Sequence, residues 1–117
     1  MKNLTLLLFA TLLSITAMAQ QPKKVYCAIW GSETTSFEGY VYIDYGQDDD
    51  RQNYIVNSEG KGIKYNSLVQ AANYLAEYGW ELTEIYNEPR RWILSKEVSS
   101  DEEITEGIYT KYMHKNR

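Results

Sequence analysis

His114 and Cys27 are the side chains of this sequence best suited to chemistry, and each is the only one of its type. A Cys–His or Ser–His nucleophile needs its base within hydrogen-bond reach. Cys27 lies in an apolar run and His114 near the C-terminus, so their spacing supplies no such pair. No group of His and Cys has the separation of metal ligands. Asp48-Asp49-Asp50 offers three consecutive carboxylates. A calcium hand needs alternating oxygen ligands around a central glycine, so this stretch reads as a solvated turn. Gly60-Lys61-Gly62 lacks the long spacing of a phosphate loop and also reads as a turn. Carboxylates are numerous enough for a paired-acid hydrolase, but nothing in the sequence singles out two. The expectation is no catalytic residue, no metal ligand and no cofactor. The function this favours is a small non-enzymatic binding or interaction module. A small secreted hydrolase or an enzyme inhibitor is the alternative.

Aromatic residues carry the stronger signal. The chain has eleven tyrosines and three tryptophans. Tyrosine gives stiff contact area with one polar tip, which suits a half-wet surface; it also simply favours strands. Residues 25–31 read as a strand with Val25, Cys27 and Ile29 on one face and Tyr26, Ala28 and Trp30 on the other. Residues 40–45 read as a second, with Val41, Ile43 and Tyr45 opposite Tyr40, Tyr42 and Asp44. If the aliphatic side meets a helix, Tyr26, Trp30, Tyr40 and Tyr42 form an apolar patch of a size seldom left open on a monomer. These four are the candidate binding residues. A C-terminal helix is the first candidate to cover them. The others are a protein partner, a second copy forming a homodimer, or a glycan whose rings stack on aromatics.

The elements that position this face centre on residues 66–98. Asn66 or Ser67 can cap a helix, and Leu68, Ala71, Ala72, Leu75 and Gly79 share one narrow face of it. Gly79 is the expected stop. Placing it at the left-handed position brings Trp80 against Leu75 and makes Trp80 a packing anchor. The strand that follows alternates until Ile85, which predicts a bulge or partial cover on both faces. Asn87-Glu88-Pro89-Arg90 turns the chain, and Trp92-Ile93-Leu94 begins the return strand of an antiparallel hairpin. Residues 32–38 read as a loop and 53–57 as a third strand. Beyond Val98, Ser100 with Glu103 fits a capping box. Ile104, Ile108, Tyr109, Tyr112 and Met113 then follow at helical spacing. The fold class is α+β: an antiparallel meander of about five strands, with one central helix packed on one face and an added C-terminal helix.

Lys2, an apolar run over 4–15 and Ala17-Met18-Ala19 make a secretory leader with cleavage after Ala19. The run is shorter than the roughly 20 residues a bilayer span needs. The expected organisation is a signal peptide over 1–19, the α+β domain over 20–98 and a C-terminal segment over 99–117. Export places the mature protein in the periplasm or outside the cell. One cysteine makes no internal disulfide, so the domain relies on its core. Sixteen acidic residues face twelve basic ones, a net charge of −4. That balance disfavours nucleic acid and anionic membrane as partners.

The chain resembles a family of small secreted bacterial proteins of unknown function. The resemblance is carried by Tyr26-Cys27 with Gly31, Asp44-Tyr45-Gly46-Gln47, Glu59-Gly60-Lys61, Lys64-Tyr65-Asn66-Ser67, Asn73-Tyr74, Gly79-Trp80-Glu81-Leu82 and Trp92-Ile93-Leu94-Ser95-Lys96. Its helix–Gly-Trp-Glu–strand unit is similar to a broader set of bacterial domains built as strand, helix and hairpin. The resemblance implies an exported domain of that build and assigns no site residues. The tail beyond Val98 is outside it.

Overall fold

Ser67 begins the helix around which the domain is built. Its hydroxyl accepts from the Gln70 amide at 3.2 Å, while Gln70 Oε1 accepts from the Asn66 amide at 2.8 Å. Two N–H groups at the helix start are thereby satisfied. Helix α1 spans Leu68–Ala76 and buries Leu68, Ala71 and Leu75. It stops as the sequence predicts. Gly79 has φ +97°, the Gly79 amide donates to Ala76 O at 3.1 Å and the Trp80 amide to Leu75 O at 3.3 Å. These are the two bonds of a Schellman motif. Leu75 and Trp80 both enter the core with almost no exposure. Trp80 Nε1 is enclosed without a hydrogen-bond partner, so this tryptophan serves as a packing body rather than a donor.

The computed structural model describes residues 21–31, 39–49 and 51–115. The predicted leader over 1–19 and the predicted loop over 32–38 lie outside them. The strands are β1 (Lys23–Trp30), β2 (Gly39–Tyr40), β3 (Tyr42–Asp44), β4 (Lys64–Tyr65), β5 (Glu81–Asn87) and β6 (Arg90–Val98). Four of them form one antiparallel sheet in the order β3-β1-β6-β5, and β2 pairs with β4 separately. The α+β class stands, but the sheet is not a meander. β1 pairs with β6, the last strand, from Lys23↔Val98 to Ile29↔Trp92. Expected strand 40–45 is split at the buried Val41, with Tyr40 in the small ladder and Tyr42 in the main sheet. Expected strand 53–57 reduces to single bridges from Tyr54, Ile55 and Val56 to Tyr42, Thr110 and Gly62. Its three partners come from three places, so no continuous ladder forms. The bulge anticipated around Ile85 occurs as a register shift between Leu82 and Glu84.

The core lies between the sheet and α1. Cys27, Ile29, Ile43 and Leu94 from the sheet meet Leu68, Ala71 and Leu75 from the helix, and Ile108 joins them. Val25, Cys27 and Ile29 therefore face inward as their alternation predicts. The tail departs from a single helix. A 3-10 turn covers Asp101–Thr105, Gly107 takes φ +77°, and a short helix α2 spans Lys111–Lys115. Gly107 breaks the path because only a residue without Cβ reaches that φ cheaply. The capping box expected between Ser100 and Glu103 is not made: Glu103 Oε2 accepts from the Ser99 amide at 2.7 Å instead, and Ser100 contributes no side-chain bond.

Candidate functional site

Alternation along β1 sends Tyr26, Ala28 and Trp30 to the sheet face opposite the core. Register adds their neighbours: Trp30 pairs with Tyr42 and Ala28 with Asp44 on β3, and Tyr86 of β5 pairs with Arg91 of β6. The described part of the tail does not cover this face, contrary to the sequence expectation. Ile104, Ile108 and Met113 pack into or against the core cluster on the helix side. The physical reason is the turn at Gly107, which keeps the tail beside α1. The Tyr74 hydroxyl donates to Gly107 O at 2.7 Å.

Three of the four candidate residues come together in one row. The rings of Trp30 and Tyr42 stack with centroids 6.0 Å apart. Tyr54 meets Tyr42 edge-on at 6.1 Å and stacks on Tyr40 at 4.8 Å. At the other end the Arg91 guanidinium lies 4.2 Å from the Trp30 ring centre. Arg91 and Tyr42 belong to the strands on either side of β1, so Trp30 is held between a guanidinium and a phenol. Tyr86 continues the row by register, and its hydroxyl donates to Glu84 at 3.1 Å. That carboxylate raises the Tyr86 phenol above its ordinary pKa. Tyr40 lies across Gly62, where a Cβ would overlap its ring. Tyr26 is 55% exposed and stands apart from the row on the same face.

Sequence reasoning missed Tyr54, Arg91 and Tyr86. Alternation with the buried Ile55 was enough to send Tyr54 outward. The turn over 87–90 implies the pairing of Tyr86 with Arg91, but Arg91 comes beside Trp30 only through the pairing of β1 with β6, which no local signal encodes. A second missed feature is an apolar cleft of about 330 Å³ between the start of α1 and the hairpin, lined by Val69, Ile85 and Trp92 among others. It exists because the helix is short and leaves β5 exposed along its whole length.

The residues with chemical potential are placed elsewhere. Burial pushes the Cys27 thiol up to about 12, with Asp44 adding to the rise and Lys96 opposing it. A thiol so protonated is a poor nucleophile at neutral pH. His114 packs against Gly60, and its Nδ1 lies 3.1 Å from the Tyr109 hydroxyl. Lys111 Nζ donates to Gly60 O at 3.0 Å. His114 and Lys111 thus pin the turn at Gly60 to the tail. Asp49 is held below the usual carboxylate range by the Arg51 side chain. Among the described residues no three His, Cys, Asp or Glu side chains are grouped to hold a metal ion, and no helix is long and apolar enough to cross a membrane. Comparison with protein-family models, curated proteins and solved structures finds no match.

Proposed function

We propose that this protein is an exported, non-enzymatic interaction module whose binding surface is the outer sheet face. The row Arg91–Trp30–Tyr42–Tyr54–Tyr40 carries the reading. Trp, Tyr and Arg are the residues that dominate binding energy at protein interfaces. Here they form a connected row on the sheet face opposite α1. Because Trp30 is flanked on both sides, the row offers ring edges, phenol hydroxyls and a guanidinium rather than a bare ring face. That arrangement suits a protein surface better than a sugar ring laid flat. A second copy of the chain is one such partner.

The experiment is affinity capture from the exported fraction of the producing cell, comparing wild type with Trp30→Ala and Arg91→Ala. A partner protein held by wild type and lost by both folded variants is expected. Sedimentation of the same proteins identifies self-association. Retention of every captured protein by both variants, with wild type monomeric, would remove the face from consideration.

Export is tested on the same material. The apolar run over 4–15 and Ala17-Met18-Ala19 lead us to expect a mature N-terminus at Gln20. Intact mass shows it directly, and a mature protein that keeps residues 1–19 defeats the exported reading.

A further inference from the structure

On the far side of the domain from the hairpin, the loop after β3 meets α2 around a cleft of about 450 Å³. That volume is in the range of small-molecule sites. Tyr45, Tyr112 and Met113 line it, together with the polar residues Asn53 and Thr110. Asn53 is 6% exposed and Thr110 is 3% exposed.

Both buried polar side chains have unused bonding capacity. Asn53 Nδ2 donates to Ile43 O at 3.2 Å, which leaves Oδ1 without a partner among the described residues. Thr110 Oγ1 accepts from the Met113 amide at 3.3 Å, and its own proton has no acceptor among them. Among the described residues, Trp80 Nε1 is the fully enclosed side-chain atom without a partner. Asn53 Oδ1 is therefore reached by solvent, and the cleft that Asn53 lines is the route. At the rim, Asp48 makes no ion pair or hydrogen bond among the described residues, while Asp49 is taken by Arg51 at 2.6 Å.

The complement of these groups is specific. Asn53 Oδ1 and the Asp48 carboxylate need donors, the Thr110 hydroxyl needs an acceptor, and the tyrosines need an apolar surface. An ammonium ion supplies donors only. An anion meets the Asp48 charge. A ring bearing several hydroxyls supplies donors, acceptors and C–H surface together. We infer that this cleft binds a neutral monosaccharide unit, free or at the end of a glycan. The site shares no residue with the aromatic row, so it stands or falls separately from the interaction face.

The test is an NMR titration of the mature protein with glucose, galactose, mannose and N-acetylglucosamine, alongside glucuronate and butylammonium. At least one neutral sugar should shift the backbone resonances of Asn53, Thr110 and Tyr112 at millimolar concentration. Glucuronate should bind more weakly than that sugar. Asp48→Ala removes an exposed side chain that the fold does not use, so it should stay folded and weaken binding by roughly tenfold, the value of one hydrogen bond to a charged group. Thr110→Val, checked for fold by its own spectrum, should weaken binding as well. The inference is overturned if no neutral sugar shifts these residues, if butylammonium alone does so, or if Asp48→Ala binds as wild type does.

Discussion

The Tyr74 hydroxyl and the Gly107 carbonyl, 33 residues apart, share a 2.7 Å hydrogen bond that fastens the tail to the middle helix. The Tyr78 ring lies against the same glycine. Beyond it Ile108 is buried, and Thr110 bridges to Ile55. The tail is thus part of the domain, although it serves the core rather than the aromatic face. Burial of one such isoleucine is worth roughly 1.5–3 kcal/mol, against about 5–15 kcal/mol for a whole domain. A chain ending at Ser99 should lose its cooperative thermal transition or melt far below the full protein. Calorimetry on the truncated protein decides this, and an unchanged midpoint would falsify the structural role of the tail.

Gly79 and Gly107 both hold a left-handed backbone, but they differ in what a Cβ would meet. At Gly79 the nearest atoms are the Lys96 stem at 3.5 Å, an ordinary contact, whereas at Gly107 the Cβ would overlap the Tyr78 ring. Gly79→Ala should cost about 1 kcal/mol, from backbone strain alone. Gly107→Ala should cost more, because Tyr78 must also leave its contact with Tyr74. Urea midpoints rank the two. Equal loss at both positions would show that the ring contact contributes nothing.

Two buried acids make the fold sensitive to alkali. Burial raises the Cys27 thiol from 9.0 to about 12. Burial, and secondarily Tyr74, raises the Tyr65 phenol from 10.0 to about 12. In each case the unfolded chain releases its proton first as pH rises. The unfolded state then binds fewer protons than the native state, so stability falls with pH. The contribution is complete below pH 9 and is lost progressively toward pH 12. Unfolding midpoints should decline across that window, and Cys27→Ala should flatten the decline at its lower end. An identical slope with and without the thiol would mean that Cys27 titrates alike in both states.

These contrasts show where the sequence was legible. Ser67, Leu75, Gly79 and Trp80 act on residues within one or two turns, so capping rules and periodicity recover the helix, its stop and its packing anchor. Alternation gave the faces of β1 correctly, because Val25, Cys27 and Ile29 differ plainly from Tyr26 and Trp30. Sheet order was not legible. Lys23 pairs with Val98 across most of the described chain, and nothing local encodes that choice. In the tail, helical spacing recovered a C-terminal helix but not its extent, which is Lys111–Lys115. Ile104, Ile108 and Met113 reach the core along a path broken at Gly107, where one φ value outweighs the pattern. At the aromatic row the candidate rings were readable, but Arg91 needed the pairing of β1 with β6 to reach Trp30. The monosaccharide cleft needed Asn53 and Thr110, which are far apart in sequence and carry no motif.

Whether the aromatic row serves binding or merely sheet stability can be measured. Cross-strand aromatic pairs contribute roughly 0.2–1 kcal/mol. A fully buried aliphatic side chain such as Ile29 costs about 2–5 kcal/mol when cut to alanine. Trp30 and Tyr42 are half-buried, and each already contacts its neighbours in the row. A double-mutant cycle on Trp30→Ala and Tyr42→Ala should therefore give a coupling below about 1 kcal/mol, with Ile29→Ala as the large reference. Both single variants should remain folded at room temperature and lose the captured partner. A coupling as large as the Ile29→Ala loss would make the row a second core, and the stacked rings would then be explained by stability alone.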